Sequence, residues 1–343
     1  MKLGLVVPTL LNYQPSTTDG PQFLTVPSMD ICSWAFTDSV WTGGGGLNDS
    51  GVAANTLIGT AGHLTVPMLV GPQSGTPLTN SGSGQTTSPQ NPSNATTPTT
   101  MTMADVASGV WDAMFTTGFT LIAASRPNCI LRIGHENYGN GWYPWCGAAL
   151  STLHTACFQH LVTLARTVSS SFKFDWNGAQ NYTGYDPMTA SGAYPGDSYV
   201  DYISADWYDG LGFTAGTWMN GGAAGWNAAV TQYLVEGLAF AIAHGKPFCI
   251  PEFGLGQTTY NPSGGLPEDD PNWVKAAYTW MRANEANLGY VLYFQNEGGS
   301  NPGSLNLNPQ SAAVFAQLFG AWARQNAGIS NRFTSANGRS RIT

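Results

Sequence analysis

The sequence predicts an α/β protein, a (β/α)8 TIM barrel. Three observations carry that prediction. Short runs rich in Val, Ile, Leu and Phe recur along the chain, eight in all. Between the later runs lie long stretches whose apolar positions suit helices. The 343 residues also suit one barrel, usually about 250 residues before insertions. Strand-like runs that alternate with helices imply parallel pairing.

The candidate strands are residues 3–8, 29–36, 64–71, 129–136, 172–177, 200–207, 247–252 and 290–295. The first is an apolar run closed by Pro8. It lacks a small-residue cleavage site, so it reads as a strand rather than a signal peptide. The fourth and seventh each end on a glutamate, and the sixth ends on an acidic and aromatic pair. The candidate helices are 103–124, 150–169, 226–244, 271–287 and 311–325. Glu268, Asp269 and Asp270 precede Pro271, and the macrodipole favours negative charge at such a helix start. Residues 73–100 form a low-complexity loop of Ser, Thr, Pro, Gly, Asn and Gln. After a third strand, that loop would lie on the C-terminal face of the barrel. The expected organisation is a single domain over 1–343.

Composition narrows the partners. Only 9% of residues are charged and the formal net charge is −8. No basic cluster exists, which argues against nucleic acid and disfavours a polyanionic substrate. No run reaches the roughly 18 apolar residues of a membrane span. The 12 Trp and 14 Tyr, on a surface rich in small polar residues, suit a neutral carbohydrate. No Cys-x-x-Cys or His-x-x-x-His spacing suggests zinc. Cys129 and Cys249 sit in strand-like runs and read as buried free thiols. Cys146 and Cys157 flank a short segment beside Glu136 and are a candidate disulfide.

The chemistry gathers on Glu136 and Glu252. In a chain this poor in charge, a carboxylate at the mouth of a buried strand calls for a reason. Glycoside hydrolysis needs two carboxyl groups on opposite sides of the anomeric carbon. In a barrel, the C-terminal ends of different strands supply such groups. Residues two apart on a strand share a face. On that rule Arg132, Gly134 and Glu136 point one way, as do Phe248, Ile250 and Glu252, and Ser204, Asp206 and Tyr208. If those faces are luminal, Glu136, Glu252, Asp206, Tyr208 and Arg132 meet. The arginine would keep a neighbouring carboxylate ionised.

The segment from Leu131 through His135, Glu136 and Asn137 to Gly141-Trp142-Tyr143-Pro144-Trp145 resembles the acid/base motif of glycoside hydrolase family 26. Asp206-Trp207-Tyr208 resembles that family's sixth-strand Asp-x-Tyr. Lys246-Pro247 through Pro251-Glu252-Phe253-Gly254 resembles its nucleophile strand, and residues 290–296 its aromatic eighth strand. The resemblance spans residues 100–320. It implies a retaining barrel enzyme with Glu136 as acid/base and Glu252 as nucleophile. Tyr208, held by Asp206, would hydrogen-bond the nucleophile. His135 and Trp142 would line the sugar at the cleavage point. Apart from the resemblance, Trp142, Trp145 and Trp207 lie just beyond strand ends, a place that suits a sugar platform, and Arg132, Asn137, Tyr293 and Phe294 complete the candidate substrate site. Two departures stand out: one extra residue separates Glu136 from Trp142, and Tyr138-Gly139 stands where the family has Met or Asn-Gly.

The expected function is a monomeric retaining glycoside hydrolase that cuts internal β-glycosidic bonds, with β-1,4-mannan as the first substrate. A β-glucan or a bacterial exopolysaccharide is the alternative within that mechanism. A carbohydrate-binding barrel without turnover, such as an adhesin, is the alternative of another class. No metal or organic cofactor is expected, and the location is extracellular or at the cell surface.

Overall fold

The computed structural model describes residues 2–7, 29–33, 61–66, 68, 86–87, 100–139, 145–181, 185–209, 234–255, 269–294, 305 and 308–335. In chain order the strands are β1 (Lys2–Val7), β2 (Met29–Ser33), β3 (Ala61–Val66), β4 (Thr86–Thr87), β5 (Thr100–Met101), β6 (Ile130–Ile133), β7 (Lys173–Trp176), β8 (Tyr202–Ser204), β9 (Trp207–Tyr208), β10 (Phe248–Gly254) and β11 (Leu288–Phe294). The helices are α1 (Met103–Ala107), α2 (Asp112–Ser125), α3 (Ser151–Val168), α4 (Glu236–Ala243), α5 (Pro271–Ala283) and α6 (Pro309–Ser335).

The parallel pairings run β1–β2–β3–β6–β7–β8–β10–β11 and return from β11 to β1. The circuit closes into an eight-stranded barrel. β9 continues β8 beyond Asp206 and pairs with the far end of β10. Within the expected 73–100 loop, β4 and β5 form a short antiparallel ribbon. The remaining residues of that loop lie outside the described set.

β6 is buried throughout, and all seven residues of β10 are buried. Parallel strands packed between a lumen and a helix layer behave this way. One apolar cluster lies between strands and helices and includes Leu131, Ile133, Ile203, Trp207, Phe248, Ile250 and Phe253 with Trp273, Phe315 and Trp322. A second fills the lumen: Ile130, Tyr208, Cys249, Tyr290, Leu292 and Phe294.

Two helices depart from expectation, and one of them, expected over 311–325, runs on as α6 to Ser335. The 103–124 stretch splits into α1 and α2, because Gly109 takes φ +84 between them, a left-handed turn that suits glycine. Asp270 caps α5, accepting from the N–H groups of Asn272 and Trp273. Asp269 instead accepts from Gln310 and Ser311 at the start of α6, tying the two helices together. The expected helix over 226–244 is described from its final two turns only. No described helix is long and apolar enough to cross a membrane.

Cys129, Cys146, Cys157 and Cys249 are buried thiols outside any disulfide. The Cys146–Cys157 disulfide is therefore corrected. α3 turns the Cys157 thiol toward α1, where it donates to the Met103 carbonyl at 2.9 Å, and burial pushes its pKa up to about 12.

Candidate active site

Glu136 is aimed by a turn rather than by a strand. β6 stops at Ile133, and the next three residues contain two left-handed ones, Gly134 at φ +57 and Glu136 at φ +52. A Cβ at Gly134 would meet the Met68 side chain at 2.6 Å, so glycine is required twice over there. Glu136 is the one non-glycine residue with positive φ among the described residues. Such strain costs of the order of 1–3 kcal/mol and persists where the surroundings over-determine it. Here the surroundings are specific. The Glu136 N–H donates to Asn177 Oδ1 at 2.7 Å. The Gly134 carbonyl accepts from His154 Nε2 at 2.9 Å. With that nitrogen protonated, His154 Nδ1 can accept from Asn137 Nδ2 at 3.4 Å. Burial lowers the His154 pKa to about 4, which keeps the ring neutral.

Glu252 reaches the lumen through an irregularity of β10. Phe248 and Ile250 belong to the helix-facing cluster, whereas Cys249 belongs to the luminal one. Simple alternation would turn Glu252 outward with Ile250. The register shifts between Ile250 and Phe253, where Pro251 has no N–H to give to the ladder, and Glu252 faces inward. The expected shared face of Phe248, Ile250 and Glu252 is thus corrected. The face shared by Ser204, Asp206 and Tyr208 is found as expected.

The three acids meet around one arginine. Carboxylate oxygens of Glu136, Asp206 and Glu252 lie within 4.8 Å of one another. Arg132, 1% exposed, donates through Nη2 to Glu252 Oε1 at 2.5 Å and through Nη1 to Asp206 Oδ1 at 3.3 Å. Tyr208 donates to Glu252 Oε2 at 2.6 Å. The guanidinium already sits between two of the acids and supplies the counter-charge that a cation would bring. Asp206 also accepts from Asn177 Nδ2 at 3.5 Å and lies 3.3 Å from the Tyr138 hydroxyl. It makes no hydrogen bond to Tyr208, so Tyr208 is not held by Asp206 as expected.

Electrostatics separates the roles. Burial, then the charge of Glu252, raises the Glu136 pKa to about 7, while Arg132, Asp206 and Tyr138 restrain the rise. Burial also raises Asp206 well above the usual carboxylate range, against the pull of Arg132. Burial works to lower Arg132, but Asp206 and Glu252 hold its pKa higher than usual. His135 is pushed well down by burial and by Arg132. The result is two carboxyl groups of raised pKa, Glu136 and Asp206, beside a glutamate that accepts two strong hydrogen bonds.

No family model matches the chain. Its structure is similar to GH26C from Muricauda sp., with TM-score 0.58 and 16% identity over 92% of this chain and 84% of that one. It is also similar to the catalytic domain of the Bacillus sp. JAMB-750 GH26 endo-β-1,4-mannanase, with TM-score 0.56 and 16% identity over 92% and 85%. The chain has the fold of the GH26 mannanases. Among curated proteins it is 26% identical over 227 residues to Endoglucanase H of Acetivibrio thermocellus, covering 63% of this chain and 23% of that protein. The chain thus spans under a quarter of that relative's length.

Within this GH26-type barrel, several expected substrate residues serve the framework. Trp207 is 1% exposed and packs on Trp273 at 5.0 Å, because its side chain points opposite to Asp206 and Tyr208. Tyr293 likewise faces the helices and packs on Phe315 at 5.0 Å. Both are corrected from sugar contacts to core residues. Trp145, 3% exposed, donates through Nε1 to the His135 carbonyl at 2.8 Å, and its ring lies 5.4 Å from the His135 ring. It supports His135 rather than offering an open face. Asn137 is spent on His154, with Nδ2 3.4 Å from its Nδ1. Phe294 sets its edge against Tyr208 at 5.8 Å, on the luminal side. Trp142 lies outside the described residues.

Three residues of the site were not foreseen: Tyr138, His154 and Asn177. Asn177 had a legible signal. It is a polar residue at the end of a strand-like run, on the parity of the buried Asp175. Tyr138 was visible only as a departure from the family motif. His154 sits inside a helix, where nothing in the sequence distinguishes it from a surface histidine.

Proposed function

We propose that this chain is a retaining, endo-acting glycoside hydrolase of neutral β-linked polysaccharide, with β-1,4-mannan as its first substrate. One observation carries the reading: the carboxylates of Glu136 and Glu252 lie within 4.8 Å. Retaining enzymes separate their carboxyl groups by about 5–5.5 Å, whereas inverting ones need about 6.5–9.5 Å to seat a water.

In the first step, Glu252 attacks the anomeric carbon and the bond to the leaving oxygen breaks. Glu136 gives its proton to that oxygen and becomes a carboxylate. In the second, Glu136 takes a proton from water, the resulting hydroxide attacks the anomeric carbon, and the ester to Glu252 breaks. Arg132 and Tyr208 each donate a hydrogen bond to one Glu252 oxygen and so orient the carboxylate for attack. Esterification removes the Glu252 charge, which is one cause of the raised Glu136 pKa. Glu136 then becomes more acidic when it has to act as a base, as the cycle requires.

Mannan leads because the resemblance and the similar solved mannanases point there. A β-glucan is the second reading, favoured by the likeness to Endoglucanase H. A polymeric substrate cannot enter a cell whole, so the enzyme would act outside it or at its surface. A monomer with a single catalytic domain over 1–343 suffices for this chemistry. The net charge of −8 argues against nucleic acid.

The test is a screen of mannan, mixed-linkage glucan and related polymers, with product sizing and the anomer of the first product read by proton NMR. Internal cleavage with the β-anomer formed first is expected. The α-anomer first would overturn retention. Sugar binding with no cleavage of any polymer would favour the non-catalytic barrel.

A further inference from the structure

We infer that the Tyr138 hydroxyl is a two-position hydrogen-bond switch that serves Glu136 in one half of the cycle and Asp206 in the other. The inference rests on the reading of Glu136 as acid/base and adds a residue that the family resemblance does not supply.

The geometry is symmetrical. The Tyr138 oxygen lies 3.3 Å from Glu136 Oε1 and 3.3 Å from Asp206 Oδ2. The ring is 2% exposed, so packing fixes its place. A phenol carries one proton and can donate to one carboxylate at a time. Burial, and then the charges of Asp206 and Glu136, raise its pKa well above the ordinary tyrosine value. The hydroxyl therefore stays protonated throughout.

The cycle decides which way it points. While Glu136 is protonated, its own O–H must face the leaving oxygen. Tyr138 then donates to Asp206. Once Glu136 has lost its proton, the new carboxylate is the better acceptor, and a rotation about the C–O bond redirects the phenol O–H to Glu136. No proton is transferred through Tyr138; only a hydrogen bond changes partner. The new anion gains a donor without solvent having to enter. Tyr138 is thus a positioning residue, since it touches Glu136 rather than the sugar.

Other groups facing Glu136 act at the same time. Arg132 comes from β6, Asp206 and Tyr208 from the β8–β9 segment, and Glu252 from β10, while His135 and the Asn177 amide flank the turn. Arg132 and Glu252 oppose each other at Glu136, one lowering and one raising its pKa. Replacing Tyr138 alone leaves that balance in place and isolates the phenol.

The experiment compares the wild type, Tyr138→Phe and Tyr138→3-fluorotyrosine. Phenylalanine keeps the ring and removes the donor; fluorine keeps the shape and makes a stronger donor. The first readout is the Glu136 carboxyl titration by 13C NMR on glutamate-labelled protein, which needs no substrate. The second is the basic limb of kcat/KM on the best polysaccharide. Tyr138→Phe should move the Glu136 midpoint and the basic limb alkaline by about one unit, and the fluorinated protein should move both to lower pH. Midpoints within about 0.2 unit of wild type in both variants would overturn the inference. Should Tyr138→Phe fail to fold, the fluorinated protein decides alone. Should the wild type cleave nothing, the glycosidase reading fails by itself, while the NMR titration still tests the hydrogen bond.

Discussion

Asn177 holds Glu136 by its backbone. The Asn177 amide oxygen accepts the Glu136 N–H at 2.7 Å, while its amide nitrogen donates to Ser204 Oγ at 3.0 Å and reaches Asp206 Oδ1 at 3.5 Å. One side chain from the end of β7 thus links the Glu136 turn after β6 to the polar face of β8. Asn177→Ala would leave a buried N–H without its acceptor, at a cost of about 1–3 kcal/mol. It would also loosen the Glu136 position, and small misplacements cost catalysis up to about a hundredfold. Steady-state kinetics and thermal denaturation check this. A kcat within about twofold of wild type would remove Asn177 from the positioning role.

Gly134 is tested through its neighbour. Gly134→Ala should destabilise the protein by about 1–3 kcal/mol, from the positive φ and from contact with Met68. Adding Met68→Ala relieves the contact and leaves the backbone cost. A double-mutant cycle by chemical denaturation should show a favourable coupling between the two substitutions. Strict additivity would contradict the close packing seen at that turn.

Glu136 should make stability depend on pH. Its pKa rises from 4.5 to about 7 on folding. Below 4.5 the carboxyl is protonated in both states and contributes nothing. Between 4.5 and 7 the folded state keeps a proton that the unfolded chain loses, so stability falls as pH rises. Above 7 the loss is complete, of the order of 3 kcal/mol. Glu136→Gln should therefore match the wild type at pH 4 and exceed it at pH 8 in denaturant titrations. Equal stability of the two proteins at pH 8 would show that Glu136 is not raised.

Reductant should leave the melting temperature unchanged, because none of Cys129, Cys146, Cys157 and Cys249 is in a disulfide. A clear drop in reductant, read by calorimetry, would restore a disulfide to the account.

The strands were legible because Val, Ile, Leu and Phe concentrate where a parallel barrel is buried on both faces. β3 starts earlier than expected, at Ala61 rather than Leu64, since Ala and Gly carry weak strand signal. Alternation located Arg132, Asp206 and Tyr208 correctly. It named Glu136 and Glu252 without the reason for their aim. Glu136 depends on two left-handed residues, and Glu252 on the register shift around Pro251. Neither feature has a periodic signature. Trp207 shows the opposite failure. Its type suggested a sugar platform, although its neighbours Asp206 and Tyr208 already implied that it points to the helices. Aromatic residues in core and cleft look alike in sequence, and only the face they occupy separates them.

In the proposed mechanism Glu252 bonds to the sugar while Glu136 supplies the proton. The most direct measurement is mass mapping of peptides after incubation with a 2-deoxy-2-fluoro glycoside of the preferred sugar carrying a good leaving group. One glycosyl adduct is expected, on Glu252, still formed in Glu136→Gln and absent from Glu252→Gln. An adduct on another residue, or active wild-type enzyme that turns the reagent over with no adduct on Glu252, would contradict it.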